Sequence, residues 1–440
     1  MRTHLIRFFS LILSGVTANA LTLDSLMRQT VERNPEIQQA KLKLEEASGK
    51  RLELRSIAYP DAVVGLVLGD QGGKRSGDDS NQPFGFGYGG FTQPLFNAAI
   101  PASFRRGNIE VLIAQQQLNV AVTNQLHAAR LAFYTAVYNR DLKNIRSAQL
   151  KRLQENASSQ SQRYQSGVVS RSVSVSANVQ TDELRPEVDA SDRAYQGAAL
   201  RIVEAIGEDL GPSAHLPEPA GELKFAPINI DLPAEVRLTL ERRPDLELAR
   251  LVVRASKENE RIMEAAYYPL VNLNVAGEYI PVTGVRRTQT QGGPRRSDDF
   301  ISSEIRMGAS YTWRVIDNGQ TYGAVKSRRS AREINELLLH KMEQDIPRDL
   351  ARIDRSLKAI AEKQQLLSGA SGAAAQNAKT IQQNLGKGIA SQLEFRQAEN
   401  ASLEVQSGLL SLAYQQRVAL AEWDRATGRY FQFSEAAGRN

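Results

Sequence analysis

ERNPEIQQAKL at residues 32–42 recurs as ERRPDLELARL at 241–251, so that Glu32, Arg33, Pro35, Ala40 and Leu42 return in the second half as Glu241, Arg242, Pro244, Ala249 and Leu251. Tyr59-Pro60 returns at the same offset as Tyr268-Pro269. A duplication on this scale constrains the fold more than any local motif, because one arrangement of elements has to serve twice. After each Tyr-Pro comes a strand candidate, a Gly-rich polar loop and a second strand, ending at Leu95-Phe96-Asn97 or Val315-Ile316-Asp317. These ends are farther apart than the Tyr-Pro pairs are, which makes the second loop the longer one. A long helical pattern follows in each half and breaks near Gly167 (RYQSGVVSRS) and Gly388 (LGKGIASQLEF), with Ser170 and Ser391 in register. Each half therefore reads as helix, two strands, long helix, break, long helix.

The helical patterns are unusually long. Residues 98–165 carry only Pro101 and Gly107 as disturbances, and 68 residues in helix would extend roughly 100 Å. In the second half Ile346, Leu350, Ile353, Leu357, Ile360 and Leu367 follow heptad spacing, a narrow coiled-coil seam. Pro347 falls inside that seam and is expected to kink or interrupt the helix. Five prolines between Gly211 and Pro233 mark an irregular connection between the halves.

The strands have two different faces. In LVNLNVAGEY, Val271, Leu273, Val275 and Tyr279 share one parity, and Asn272, Asn274 and Glu278 share the other. In ISSEIRMGASYTW, Ile305, Met307, Tyr311 and Trp313 oppose Glu304 and Arg306. The first strand sets Val64, Leu66 and Leu68 against Gly65 and Gly69, and the second alternates Phe84, Phe86 and Tyr88 with glycines. Phe91 and Leu95 change parity, which predicts a bulge at Gly89-Gly90. Strands of about 10 residues with aromatic residues near their ends suit a tilted bilayer crossing. The apolar parity would then meet lipid and the asparagine parity water. A sheet in lipid tolerates no open edge, and four strands are fewer than the usual minimum of about 8, so copies must combine: two give a filled barrel, three leave room for a water channel. The loops GDQGGKRSGDDSNQP and PVTGVRRTQTQGGPRRSDD are polar, and Arg286, Arg287, Arg295 and Arg296 are candidates to touch lipid phosphate.

Residues 1–20 combine Arg2 and Arg7, an apolar run from Phe8 to Val16 and the small-residue end Ala18-Asn19-Ala20, the layout of a secretory signal peptide. The chain has no cysteine, which excludes disulfides, thiolate metal sites and a lipid-modified N-terminal cysteine. Removing Arg2 and Arg7 with the signal segment lowers the net charge from +6 to a mild +4, a weak basis for nucleic-acid binding. His127, His215 and His340 are isolated, and no zinc-protease, serine-hydrolase or phosphate-loop motif is present. No enzyme, cofactor or metal site is expected.

The duplicated Asn34-Pro35 and Arg243-Pro244, the Tyr-Pro pairs, the strand exits PLFN (94–97) and WRVIDNG (313–319), and the two Gly-x-x-Ser breaks together resemble the TolC family of outer membrane efflux proteins over nearly the whole chain. The resemblance implies a mainly α fold with a small β part: long coiled-coil helices forming a periplasmic α-barrel, and four strands per chain entering a twelve-stranded transmembrane barrel shared by a homotrimer. Residues 1–20 would be the signal peptide, 21–230 the first repeat with strands at about 60–71 and 84–96, 231–428 the second with strands at about 270–281 and 301–316, and 429–440 a tail. It further implies a passive exit duct in the Gram-negative outer membrane, working with a periplasmic adaptor and an inner membrane transporter of RND, ABC or MFS type, in efflux or type I secretion. The periplasmic gate would lie at the helix-hairpin tips, here Gly167, Ser170, Ser172, Gly388, Ser391 and Glu394. The family commonly carries an acid at the sixth position after each tip glycine. This chain has Val173 at the first and Glu394 at the second, where three copies would form an anionic ring favouring cations. The alternative is a periplasmic coiled-coil scaffold without transport, which membrane behaviour would separate from a duct.

Overall fold

The computed structural model describes residues 21–75, 78–209, 216–279 and 303–430. The proposed signal segment, the four loop arginines and most of the tail lie outside them. Six elements are laid down twice in the same order. The first set is α1 (Leu23–Arg33), α2 (Pro35–Ser56), β1 (Asp61–Arg75), β2 (Asp78–Phe96), α3 (Ile100–Gln165) and α4 (Arg171–Ile206). The second is α5 (Leu232–Arg242), α6 (Pro244–Glu264), β3 (Leu270–Tyr279), β4 (Ser303–Thr312), α7 (Gln320–Gly386) and α8 (Gln392–Ala426). Asn34 and Arg243 are non-helical (ψ 125° and 122°) because each precedes a proline, and the next helix starts on that proline, where a missing N–H costs nothing.

Contacts divide the chain into two compact units, each drawn from both repeats. The first holds residues 21–40, 119–244 and 344–430. In its core Leu26 of α1 meets Phe133 and Val137 of α3 and Ile202 and Ile206 of α4, all buried. The duplicated Pro motifs find their purpose here. Gly207, the left-handed cap of α4 (φ 78°), sits so close to Pro35 that an added Cβ would lie 2.5 Å from its Cδ, and Gly428 (φ 71°) would place one 3.2 Å from the Arg243 Cα. Each repeat thus ends against the Pro corner where it began. Gly167 has a similar φ of 72° but open space around it. Gly167→Ala should therefore cost about 1 kcal/mol of backbone strain, and Gly207→Ala about 2 kcal/mol once overpacking is added. Thermal unfolding of the two variants should rank them in that order.

Farther along, Leu153, Leu184, Leu385 and Phe395 bring α3, α4, α7 and α8 into one cluster. The heptad seam is buried at Ile346, Leu350, Ile353, Leu357 and Ile360, and half-buried Leu367 faces Gly408. Contrary to expectation, α7 runs through Pro347 without interruption, as α4 does through Pro186. A helix proline costs about 3 kcal/mol, whereas burying Ile346 and Leu350 beside it contributes roughly 3 to 6 kcal/mol, so the seam prevails.

The second unit holds residues 41–118 and 245–343. It is the sheet together with the helix segments that enter and leave it. Ile109 packs on Leu251 and Ala255. Gly107, expected to disturb α3, is buried inside it, and a Cβ there would come within 3.3 Å of the Arg51 carbonyl on α2. The glycine permits a close helix crossing.

Candidate functional site

The sheet is antiparallel in the order β1-β2-β3-β4. Residues directly opposite in such a sheet share a face. Val271 pairs with Tyr311, Leu273 with Ala309, Val275 with Met307 and Gly277 with Ile305, which gathers the apolar parities of β3 and β4 on one side with Tyr279. Across β2, Val275 opposes Phe91, and Gly87 and Gly89 oppose Leu66 and Val64 of β1. This face is open: Val64 is 91% exposed, Ile305 80% and Met307 76%. Trp313 lies just past β4, where its Nε1 donates to the Tyr267 carbonyl at 3.1 Å.

The opposite face carries Asn272, Asn274, Glu278, Glu304, Arg306 and Ser310. Its polar groups bind one another. Asn274 donates to Ser310 Oγ at 2.7 Å and accepts from Thr92 at 3.2 Å, while Arg306 holds Glu304 through two bonds at 2.7 and 3.0 Å.

Two expectations need correction. The pairing of β1 with β2 runs unbroken past Gly89-Gly90, and the irregularity falls at Leu95, between Pro94 and Phe96. Pro94 has no N–H to give the ladder, so a shift beside it costs least. In consequence Phe86 and Tyr88 share the asparagine face. Tyr88 lies across Gly65, where a Cβ would meet its ring at 2.2 Å. The sequence signal for this was the strict Gly alternation, which leaves room for a large cross-strand neighbour. The first loop is also shorter than expected, since β1 and β2 stay paired as far as Arg75 and Asp78. Among the described residues, β1 and β4 each have a strand on one side only.

At the two helix turns the chain reverses by the same device. Val168 N–H bonds the Arg163 carbonyl and Gly167 N–H that of Tyr164, and Ile389 and Gly388 do likewise with Asn384 and Leu385. Both are Schellman caps, with the glycine in the left-handed conformation. The helices that follow start differently. Ser391 Oγ accepts from Glu394 N–H at 3.2 Å, and the Glu394 carboxylate accepts from Ser391 N–H at 2.7 Å, closing a capping box. Its signature, Ser-x-x-Glu, was legible in the sequence as a cap as well as a candidate ring. The bonds that the carboxylate accepts from Ser391 N–H and, second, from Ser391 Oγ at 2.9 Å hold the Glu394 carboxyl below the usual carboxylate range. At the first turn Val173 occupies the matching place, and Ser170 bonds Ser172 Oγ at 2.8 Å instead of capping the helix. Arg163 joins the turns by donating to the Leu385 carbonyl at 3.3 Å.

None of the described helices is long and apolar enough to cross a membrane, and no group of metal-binding side chains occurs among the described residues.

A two-faced four-stranded sheet fed by long paired helices is the fold of the outer membrane efflux channels. The family model for outer membrane efflux proteins matches residues 236–429, most of the second repeat. The outer membrane channel CmeC of Campylobacter jejuni superposes with a TM-score of 0.78 at 12% identity, over 92% of this chain and 85% of that one. The outer membrane protein VceC of Vibrio cholerae gives 0.75 at 16% identity, covering 92% and 96%. The open state of the MtrE outer membrane channel of Neisseria gonorrhoeae gives 0.72 at 16% identity, covering 92% and 88%. Sequence comparison with curated proteins gives no match. The family model thus matches the second half of the chain, and the fold of the whole is that of the solved outer membrane channels, in keeping with the resemblance carried by the sequence motifs.

Proposed function

We propose that three copies of this chain close their sheets edge to edge into a twelve-stranded barrel in the outer membrane, and that the helices below it form a periplasmic tunnel. One observation carries the reading: a sheet with one apolar and one polar face and both outer edges unpaired among the described residues. In hydrocarbon each unpaired backbone group costs several kcal/mol, so β4 of one copy needs β1 of the next. Twelve strands leave a water-filled bore. Val271, Leu273, Val275, Tyr279, Ile305, Met307, Tyr311 and Trp313 then meet lipid, and the Asn274 face lines the bore.

The chain holds no energy source of its own in this reading. It is a passive duct for efflux or type I secretion, docked by a periplasmic adaptor and driven by an inner membrane transporter. The two repeats, 21–230 and 231–428, supply equivalent parts of the wall and equivalent hairpins. Their turns, at Gly167 and Gly388, form the gate, and three copies of Glu394 place negative charge at its mouth.

Planar-bilayer recordings test both parts. Wild-type protein is expected to insert as a conducting, cation-preferring unit. Glu394→Gln removes the charge but retains the side-chain shape that a capping box accepts, so selectivity should fall while the helix start survives. The low Glu394 pKa sets the sign of the pH effect. The stabilisation that the carboxylate gives is present in full above the usual glutamate range, and it is lost together with the cation preference as pH falls through the depressed value. Absence of conductance would sink the duct, and an unchanged reversal potential in Glu394→Gln would sink the ring alone.

A further inference from the structure

The helix ends that join the sheet are charged in a layered way. In the ten residues of α2, α3, α6 and α7 nearest the strands there are ten Lys and Arg and four carboxylates, Glu53, Glu258, Glu260 and Glu264. Two of these acids are buried, whereas Glu264 is half-buried and Glu53 exposed. Glu258 is 6% exposed and is shared between Arg105 at 2.9 Å and Arg261 at 2.6 Å, while Glu260 is 7% exposed and shared between Arg329 and Arg332. The cations lie outside them: Lys50, Arg105, Lys257, Arg261, Lys326 and Arg328 are all exposed. Lys257 and Lys326 have no ion-pair or hydrogen-bond partner among the described residues. A cleft of about 380 Å³ concentrates the charge, with Arg105, Arg254, Lys257 and Arg261 around Ile109 and Leu112 and only Glu258 to oppose them. Between this layer and the strands stand exposed aromatic residues, Tyr59, Tyr267, Tyr268 and Trp313, the residue types that settle at a membrane interface.

We infer that this cationic collar binds the phosphate esters of anionic phospholipids in the leaflet on the helix side of the membrane. The inference rests on the barrel reading, since it is the barrel that places the aromatic layer at the interface and the collar against the headgroups. Long Lys and Arg stems reach toward such phosphates from just outside the hydrocarbon. The buried acids balance the arginines that hold the helices together, which leaves Lys257 and Lys326 for a ligand. Each basic residue at an anionic surface strengthens binding about fivefold.

The test uses purified full-length protein in detergent micelles containing equal phosphatidylglycerol and phosphatidylcholine, with the lipid retained through size exclusion measured by mass spectrometry. Wild type is expected to retain phosphatidylglycerol preferentially. Lys257→Gln/Lys326→Gln should lower that preference by about fivefold per lysine. Lys363→Gln/Lys379→Gln, which removes equal charge from exposed sites farther along α7, should leave it unchanged. No preference in wild type, or equal loss in both variants, overturns the collar. Displacement of the lipid by inorganic phosphate also overturns it, by revealing a free-anion site. A protein that stays dissolved without detergent and retains neither lipid removes the barrel reading, and the collar with it.

Discussion

Val275→Asp is expected to empty the membrane fraction of this protein, whereas Asn274→Asp, at the neighbouring position, should leave it nearly full. Both introduce the same charge near the middle of β3. Their surroundings differ. Val275 sits between Phe91 and Met307 on the apolar face, with no donor among its cross-strand neighbours. A charge facing lipid at the bilayer midplane costs about 2 to 4 kcal/mol for a basic residue and somewhat less for an acid. In the proposed trimer three copies multiply that cost, and the strand must still pair at both sides. Asn274 lies between the hydroxyls of Thr92 and Ser310, which already touch its amide at 3.2 and 2.7 Å. Each hydroxyl can donate to a carboxylate of the same shape. Membrane yield after a high-pH wash, normalised to total protein, decides the matter. Equal yields would mean that the two faces see the same solvent, and the sheet would then not be a bilayer wall.

The assignment of faces shows what sequence can and cannot carry. Parity along β3 and β4 was readable because each strand alternates residues of opposite polarity, so that a slip by a single position would be visible. Along residues 84–89 of β2 every second residue is glycine, which carries no polarity to read. There the partner strand decides, and only the register reveals that Phe86 and Tyr88 stand on the asparagine side. The heptad seam was legible because its burial follows the coiled-coil period, but the passage of α7 through Pro347 was not: it turns on a balance between one local penalty and several tertiary contacts. The Pro corners were visible as repeats long before they had a reason. Their reason is Gly207 and Gly428, each almost a whole repeat away from its corner in sequence. At the turns, a residue type was legible and its use was not. Ser391 and Glu394 close a capping box, and the replacement of the acid by Val173 leaves the first turn without one.

The second large effect concerns an ion pair inside the helical hairpins. Arg152 of α3 holds Glu399 of α8 through Nε at 3.3 Å and Nη2 at 3.0 Å, and the Glu399 side chain is only 4% exposed. Neither position stood out in the sequence, because two residues so distant along the chain leave no local signature of their pairing. Burying a carboxylate costs several kcal/mol, which a fork of two donors roughly offsets, so the intact pair contributes little net stability. Removing one partner is another matter. Arg152→Ala strands the Glu399 charge among packed helices and is expected to destabilise the hairpins by about 3 kcal/mol, the low end of the buried-pair range because Arg152 retains a solvated side. Arg152→Ala/Glu399→Leu should recover most of that loss, since neither charge then remains to be solvated. Thermal unfolding and limited proteolysis near the turns read both variants. Should the double variant be as weak as the single one, the pair would be holding α3 against α8 by geometry that an apolar contact cannot replace. Recovery would identify desolvation as the whole of the effect, and would leave the position of α8 to Phe395, fully buried on the turn before Glu399 and packed in the cluster with Leu153.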